Sequence, residues 1–134
     1  MRALTILTAA CVAAVWLGAP RASAEQAYSG NNDYQMFCAS CHGPSAKGDG
    51  PIAKSLPKKP ADLTHLAAKN NAVFPDEKVF KTIDGRTSEG AHGNADMPAW
   101  GEVFAKSQES LGEDAAKIRI TALVHYLSTI QEKQ

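Results

Sequence analysis

The chain has 134 residues, room for one domain, and its 14 basic and 14 acidic side chains cancel. That balance disfavours a nucleic-acid surface, which needs a clustered excess of positive charge. The cysteines are Cys11, Cys38 and Cys41, and a bridge between positions only three apart would constrain very little of the unfolded chain, so the pair at 38 and 41 calls for another explanation.

In chain order, Arg2 is followed by an apolar run from Ala3 to Ala19 without a charge, then Pro20-Arg21 and the small-x-small sequence Ala22-Ser23-Ala24. This is the layout of a cleaved signal peptide over residues 1–24. A permanent anchor would need about 20 apolar residues, and the run falls slightly short of that. Lipidation at Cys11 fits poorly, since Thr8 replaces the leucine-like residue and little apolar sequence precedes it. Cleavage would leave residues 25–134 as the functional domain, with 12 basic and 14 acidic side chains, no Cys11 and no permanent membrane span.

Beyond the leader no sustained alternation of apolar and polar residues survives, so the pattern predicts helices separated by loops. The first helix is expected over Asn31 to Cys41, with Asn31, Asn32 and Asp33 as candidate caps and Tyr34, Phe37, Cys38 and Cys41 on one face. Gly43 to Pro60 holds three glycines and four prolines and reads as a compact functional loop. A short helix is expected over Asp62 to Lys69. Another should run from Pro75 to Ile83, with Asp76 and Glu77 in its acidic first turn and Gly85 as its stop. Gly85 to Gly101 is a second loop. The longest helix is expected over Gly112 to Ile130, with an apolar stripe of Ile120, Leu123, Val124, Leu127 and Ile130 widened by Ile118 and Tyr126. So few helices supply little aliphatic surface for a core, and a large apolar cofactor would complete it.

Cys38-Ala39-Ser40-Cys41-His42 is the pattern for covalent haem attachment: two thiols add across the vinyl groups of one porphyrin edge, and the following imidazole turns onto the iron. A thioredoxin-like redox pair would need a βαβ context, and a zinc site would need further ligands of the kind that a second cysteine pair supplies. The candidates for a sixth iron ligand are Met36, Met97, His65, His92 and His125. Met36 lies on the helix of the cysteines, too close to cross to the other side of the ring, and His125 reads as a surface or packing residue. Met97 precedes Pro98, which holds it in extended backbone and suits a side chain presented from a loop. Its thioether would raise the reduction potential relative to a second histidine. The alternatives to Met97 are His92 and an open position.

With these residues the chain resembles the small class I, monohaem cytochromes c of bacterial periplasms, over nearly all of residues 25–134. The resemblance implies an all-α fold of about four to five helices wrapped around one covalent haem c, its first and last helices crossing at a glycine and aromatic pair. Gly30, Tyr34, Leu123 and Tyr126 stand at the corresponding places. It implies that Pro51, in Gly48-Asp49-Gly50-Pro51, offers its carbonyl to His42 Nδ1, with Pro44 as the alternative, and that Trp100 and Arg86 contact the haem propionates. It further implies a one-electron carrier rather than an enzyme, without catalytic residues, exchanging electrons with a protein donor and acceptor in the periplasm. Lys47, Lys54, Lys58 and Lys59 are either a docking ring for an acidic partner or an ordinary solvated loop. Two rival functions remain: the electron-accepting haem subunit of an exported dehydrogenase or oxidase, and a gas- or peroxide-reactive haem protein with a labile sixth position.

Overall fold

A computed structural model describes residues 29–86, 97–107 and 112–133, and these residues form helices and loops without a strand. The expected leader, residues 1–24, and His92 lie outside the described residues. The first helix is built from three turns that run on without a break: Gly30–Asp33, a wider π-helical turn Tyr34–Cys38, and Ala39–His42, together α1 (residues 30–42). Its cap is not one of the three expected residues. Ser29 takes that position, its hydroxyl accepting from Asn32 N at 3.5 Å, while Asp33 is buried.

α2 is Asp76–Asp84, entered after Pro75 and ended by Gly85 as the sequence predicts. α4 is Gly112–Thr129. Between them stands a helix that the sequence pattern does not predict, α3, Trp100–Ser107. The helix expected over Asp62 to Lys69 is instead a series of turns ending in the 3-10 turn Ala68–Asn70. Asp62 explains this. Its carboxylate accepts from both the amide (2.9 Å) and the hydroxyl (2.6 Å) of Thr64, offering the backbone a local turn in place of a helical one.

α1 and α4 cross where Gly30 meets Ala122: a β-carbon at Gly30 would stand 2.0 Å from the Ala122 carbonyl oxygen, so only glycine permits this approach. Tyr34 stacks at a tilt on Tyr126, ring centroids 5.3 Å apart. Tyr34, Phe104, Ile120 and Leu123 are the largest fully buried side chains, and a buried aliphatic of this size contributes about 2 kcal/mol. Ile118 does not widen the buried stripe; it is 49% exposed. α4 buries Arg119 instead, whose guanidinium donates to both carboxylate oxygens of Asp33 on α1, at 2.9 and 2.8 Å.

Candidate functional site

The helix end that carries the motif is unusually well fastened. An α-helix leaves its last carbonyls without partners, yet here the following loop supplies them. Gly48 N donates to His42 O (2.8 Å), Gly50 N to Cys41 O (3.1 Å) and Ile52 N to Ser40 O (3.2 Å). The buried Tyr34 hydroxyl adds a fourth tie, donating to Gly43 O at 2.7 Å, and burial pushes that phenol well above its usual range. Glycine and proline in this loop therefore serve to fold it back under α1.

Cys38 and Cys41 are unbridged and partly exposed. Burial, aided by the Asp33 carboxylate and by Cys41, pushes the Cys38 thiol up to about 12. His42, the next residue, holds its Nδ1 at 2.9 Å from the Ala61 carbonyl oxygen. A carbonyl can only accept, so Nδ1 carries a proton, and in the neutral ring this leaves Nε2 as the nitrogen with the lone pair.

The partner of Nδ1 is thus Ala61 and not Pro51. Pro51 is exposed and sits in the stretch whose amides are spent on carbonyls 40 to 42. The alternative, Pro44, has its carbonyl engaged by the Gln35 side chain at 3.3 Å. The sequence held a usable signal: Pro60-Ala61-Asp62 closes the same proline-rich loop, and the long-range bond from Leu63 N to Ala46 O, 2.8 Å, helps bring it back to the histidine.

Met97 is half-buried and packs against the core. Its segment is seated on the turn after α2 by two close approaches. A β-carbon on Gly85 would lie 2.8 Å from Ala99 Cα, and one on Gly101 would lie 2.1 Å from Asp84 Oδ1 and 2.5 Å from Arg86 Nε. Arg86 donates to Asp84 at 2.9 and 2.7 Å and also pairs with Glu113 on α4. Both neighbours hold its guanidinium well above the usual range. In the structure its donors go to these carboxylates, so it ties the end of α2 to α4, where the resemblance implied a propionate contact. Trp100 opens α3 and packs on Phe37 and Phe104, centroids 5.4 and 5.7 Å away, which puts it beside the residue preceding Cys38. Met36 is 72% exposed. His125 is exposed, and His65 is engaged with Asp62 and Glu132.

Among the described residues no group of three or more His, Cys, Asp or Glu side chains could cage a metal ion, so a protein-only zinc centre does not form there. What the residues do fit is a covalently held porphyrin: two free thiols on one helix end, then an imidazole whose Nδ1 proton is engaged and whose Nε2 makes no hydrogen bond to the described residues. This helical fold and this site define a c-type cytochrome. The sequence model of the family described as Cytochrome C oxidase, cbb3-type, subunit III matches residues 25–113, and the chain belongs to that family. Its cofactor is haem c, covalently attached, and its function is haem-based electron transfer. No curated protein matches the chain, and no solved structure does.

Proposed function

We propose that the chain is a monohaem carrier of single electrons, exported to the periplasm through residues 1–24, with the iron held between His42 and Met97. The observation that carries this reading is the state of His42: one residue beyond two free thiols, its ring fixed through Nδ1 by a main-chain carbonyl and its Nε2 without a hydrogen bond among the described residues. Bound haem supplies a one-electron Fe(III)/Fe(II) couple. The protein keeps the imidazole in one orientation and tautomer, so little need reorganise when the charge changes. Met97 supports the second ligand position because its segment is anchored on the turn after α2, and a thioether favours the reduced iron. No acid, base or substrate is required, so the chain acts as an electron-transfer protein and not as an enzyme. Lys54, Lys58 and Lys59 are exposed and suit an acidic redox partner, whereas Lys47 is paired with Glu132 at 2.7 Å.

The test is the absorption spectrum of the holoprotein, oxidised and reduced. The reading expects the weak far-red band of methionine on ferric haem in wild type, its loss in Met97→Ala, and no carbon monoxide binding by reduced wild type. Ready carbon monoxide binding with no such band would replace it by an open-site haem protein.

The family description favours one further reading, a haem subunit that stays with an oxidase complex. No helix among the described residues is long and apolar enough to cross a membrane, so such an association would rest on protein contacts or on the segments outside the description. Sizing the native protein from its own host separates the two: elution as a single small haem protein supports the carrier, and co-elution with a membrane oxidase supports the subunit.

A further inference from the structure

We infer that Gln131, which follows α4, is a positioning residue for His42, acting through the segment that carries Ala61. The inference rests on the reading of His42 as an iron ligand. Residues 61–67 have no regular helix of their own, so their place depends on what holds them. On one side Leu63 N donates to Ala46 O at 2.8 Å. On the other, Gln131 spends its whole amide: Nε2 donates to Leu63 O and to Leu127 O, both at 2.8 Å, and Oε1 accepts from Ala67 N at 2.9 Å. Glu132 N adds a bond to Thr64 O, also 2.8 Å.

The amide thus fixes both ends of a five-residue stretch to the last turn of α4, and Ala61 lies two residues before that stretch, with its carbonyl on His42 Nδ1. A firmly held acceptor draws on the Nδ1 proton and makes Nε2 a stronger donor to iron, which favours the ferric state. Releasing the stretch weakens that bond and raises the reduction potential.

The experiment compares holoproteins of wild type, Gln131→Met and Gln131→Asn, with Ile120→Val in the buried core as a control for general loosening. Gln131→Met keeps the length and removes the amide; Gln131→Asn keeps the amide and shortens its reach. The readouts are the reduction potential and the exchange rate of the His42 Nδ1 proton in the ferrous protein by NMR, beside the melting temperature. The expected result for Gln131→Met is a threefold rise in the ferrous-to-ferric ratio at fixed potential, about 30 mV at about 59 mV per tenfold change. The proton should also exchange about tenfold faster, as a lost hydrogen bond of ordinary strength implies. Gln131→Asn should move both readouts in the same direction by less, and Ile120→Val should lower the melting temperature alone. A lowered melting temperature with potential and exchange unchanged in both Gln131 variants overturns the inference while leaving the haem carrier intact. Wild type without covalent haem overturns the functional reading and this inference with it, and is seen before any variant is made. Gln131→Asn carries the test by itself if Gln131→Met does not fold.

Discussion

Replacing Arg119 by methionine should cost this protein a large share of its stability. The Arg119 and Asp33 side chains are only 9% and 10% exposed, and the guanidinium lies 4.1 Å from the Phe104 ring centre and 5.0 Å from that of Phe37. Methionine fills similar volume but leaves the Asp33 carboxylate buried without its cation, a loss of about 3–5 kcal/mol when one partner of a buried pair is removed. The contact of the cation with the aromatic faces adds about 1 kcal/mol. Against a total of about 5–15 kcal/mol for a small domain, that is about a quarter or more. Asp33→Asn combined with Arg119→Met removes both charges, so the double variant should be more stable than Arg119→Met alone. Urea titration of the holoproteins, followed by far-ultraviolet circular dichroism, measures both quantities. A loss below about 1 kcal/mol for Arg119→Met, the level of an exposed pair, would refute the reasoning, as would a double variant no more stable than the single one.

Two other substitutions probe the site and its surroundings. Gly101→Ala places a methyl group against Asp84 and Arg86, which must part to admit it; the far-red methionine band should weaken or vanish while covalent haem attachment at Cys38 and Cys41 persists, and a spectrum identical to wild type would separate the Met97 segment from this turn. Thr64→Val removes the hydroxyl whose hydrogen bond is the main cause holding the Asp62 carboxyl below its usual range. A carboxyl lowered on folding contributes stability above its unfolded value, about pH 4, and loses it as pH falls through the lower native value. The stability gap between wild type and Thr64→Val should accordingly be widest near neutrality and close in acid, in urea melts run across that range.

The haem motif, α2 and the long α4 were legible because each is written within one short window: the spacing of Cys38, Cys41 and His42, the acidic first turn and Gly85 stop of α2, and the apolar repeat of α4. The crossing at Gly30 and Tyr34 came from family resemblance, and the structure bears it out. What escaped were features joining distant residues. Asp33 read as a cap because Asp favours helix starts, but its partner Arg119 lies 86 positions away, and nothing in a local pattern announces a buried arginine on an apolar helix face. α3 escaped since Trp100 and Gly101 follow Pro98 within three residues, where loop signals outweigh an eight-residue helix. The partner of His42 escaped for the same reason: two prolines nearer in sequence compete with Ala61, and the choice is made by where the chain returns.

That return shapes how the site can work. The groups touching the motif end of α1 are mostly main chain: the amides of Gly48, Gly50 and Ile52, and the carbonyls of Gly43 and Ala61. Backbone groups held in a compact loop have few conformations to explore compared with long side chains, so the imidazole is oriented by the least adjustable part of the molecule. For an electron carrier this is the useful arrangement. A ligand that keeps its orientation through both charge states adds little reorganisation to the transfer, and the polar environment is set before the charge arrives. Side chains then enter one step removed, Tyr34 at Gly43 and Gln131 at Leu63 and Ala67, where a change of residue can adjust the strength of the His42 hydrogen bond without dismantling the site.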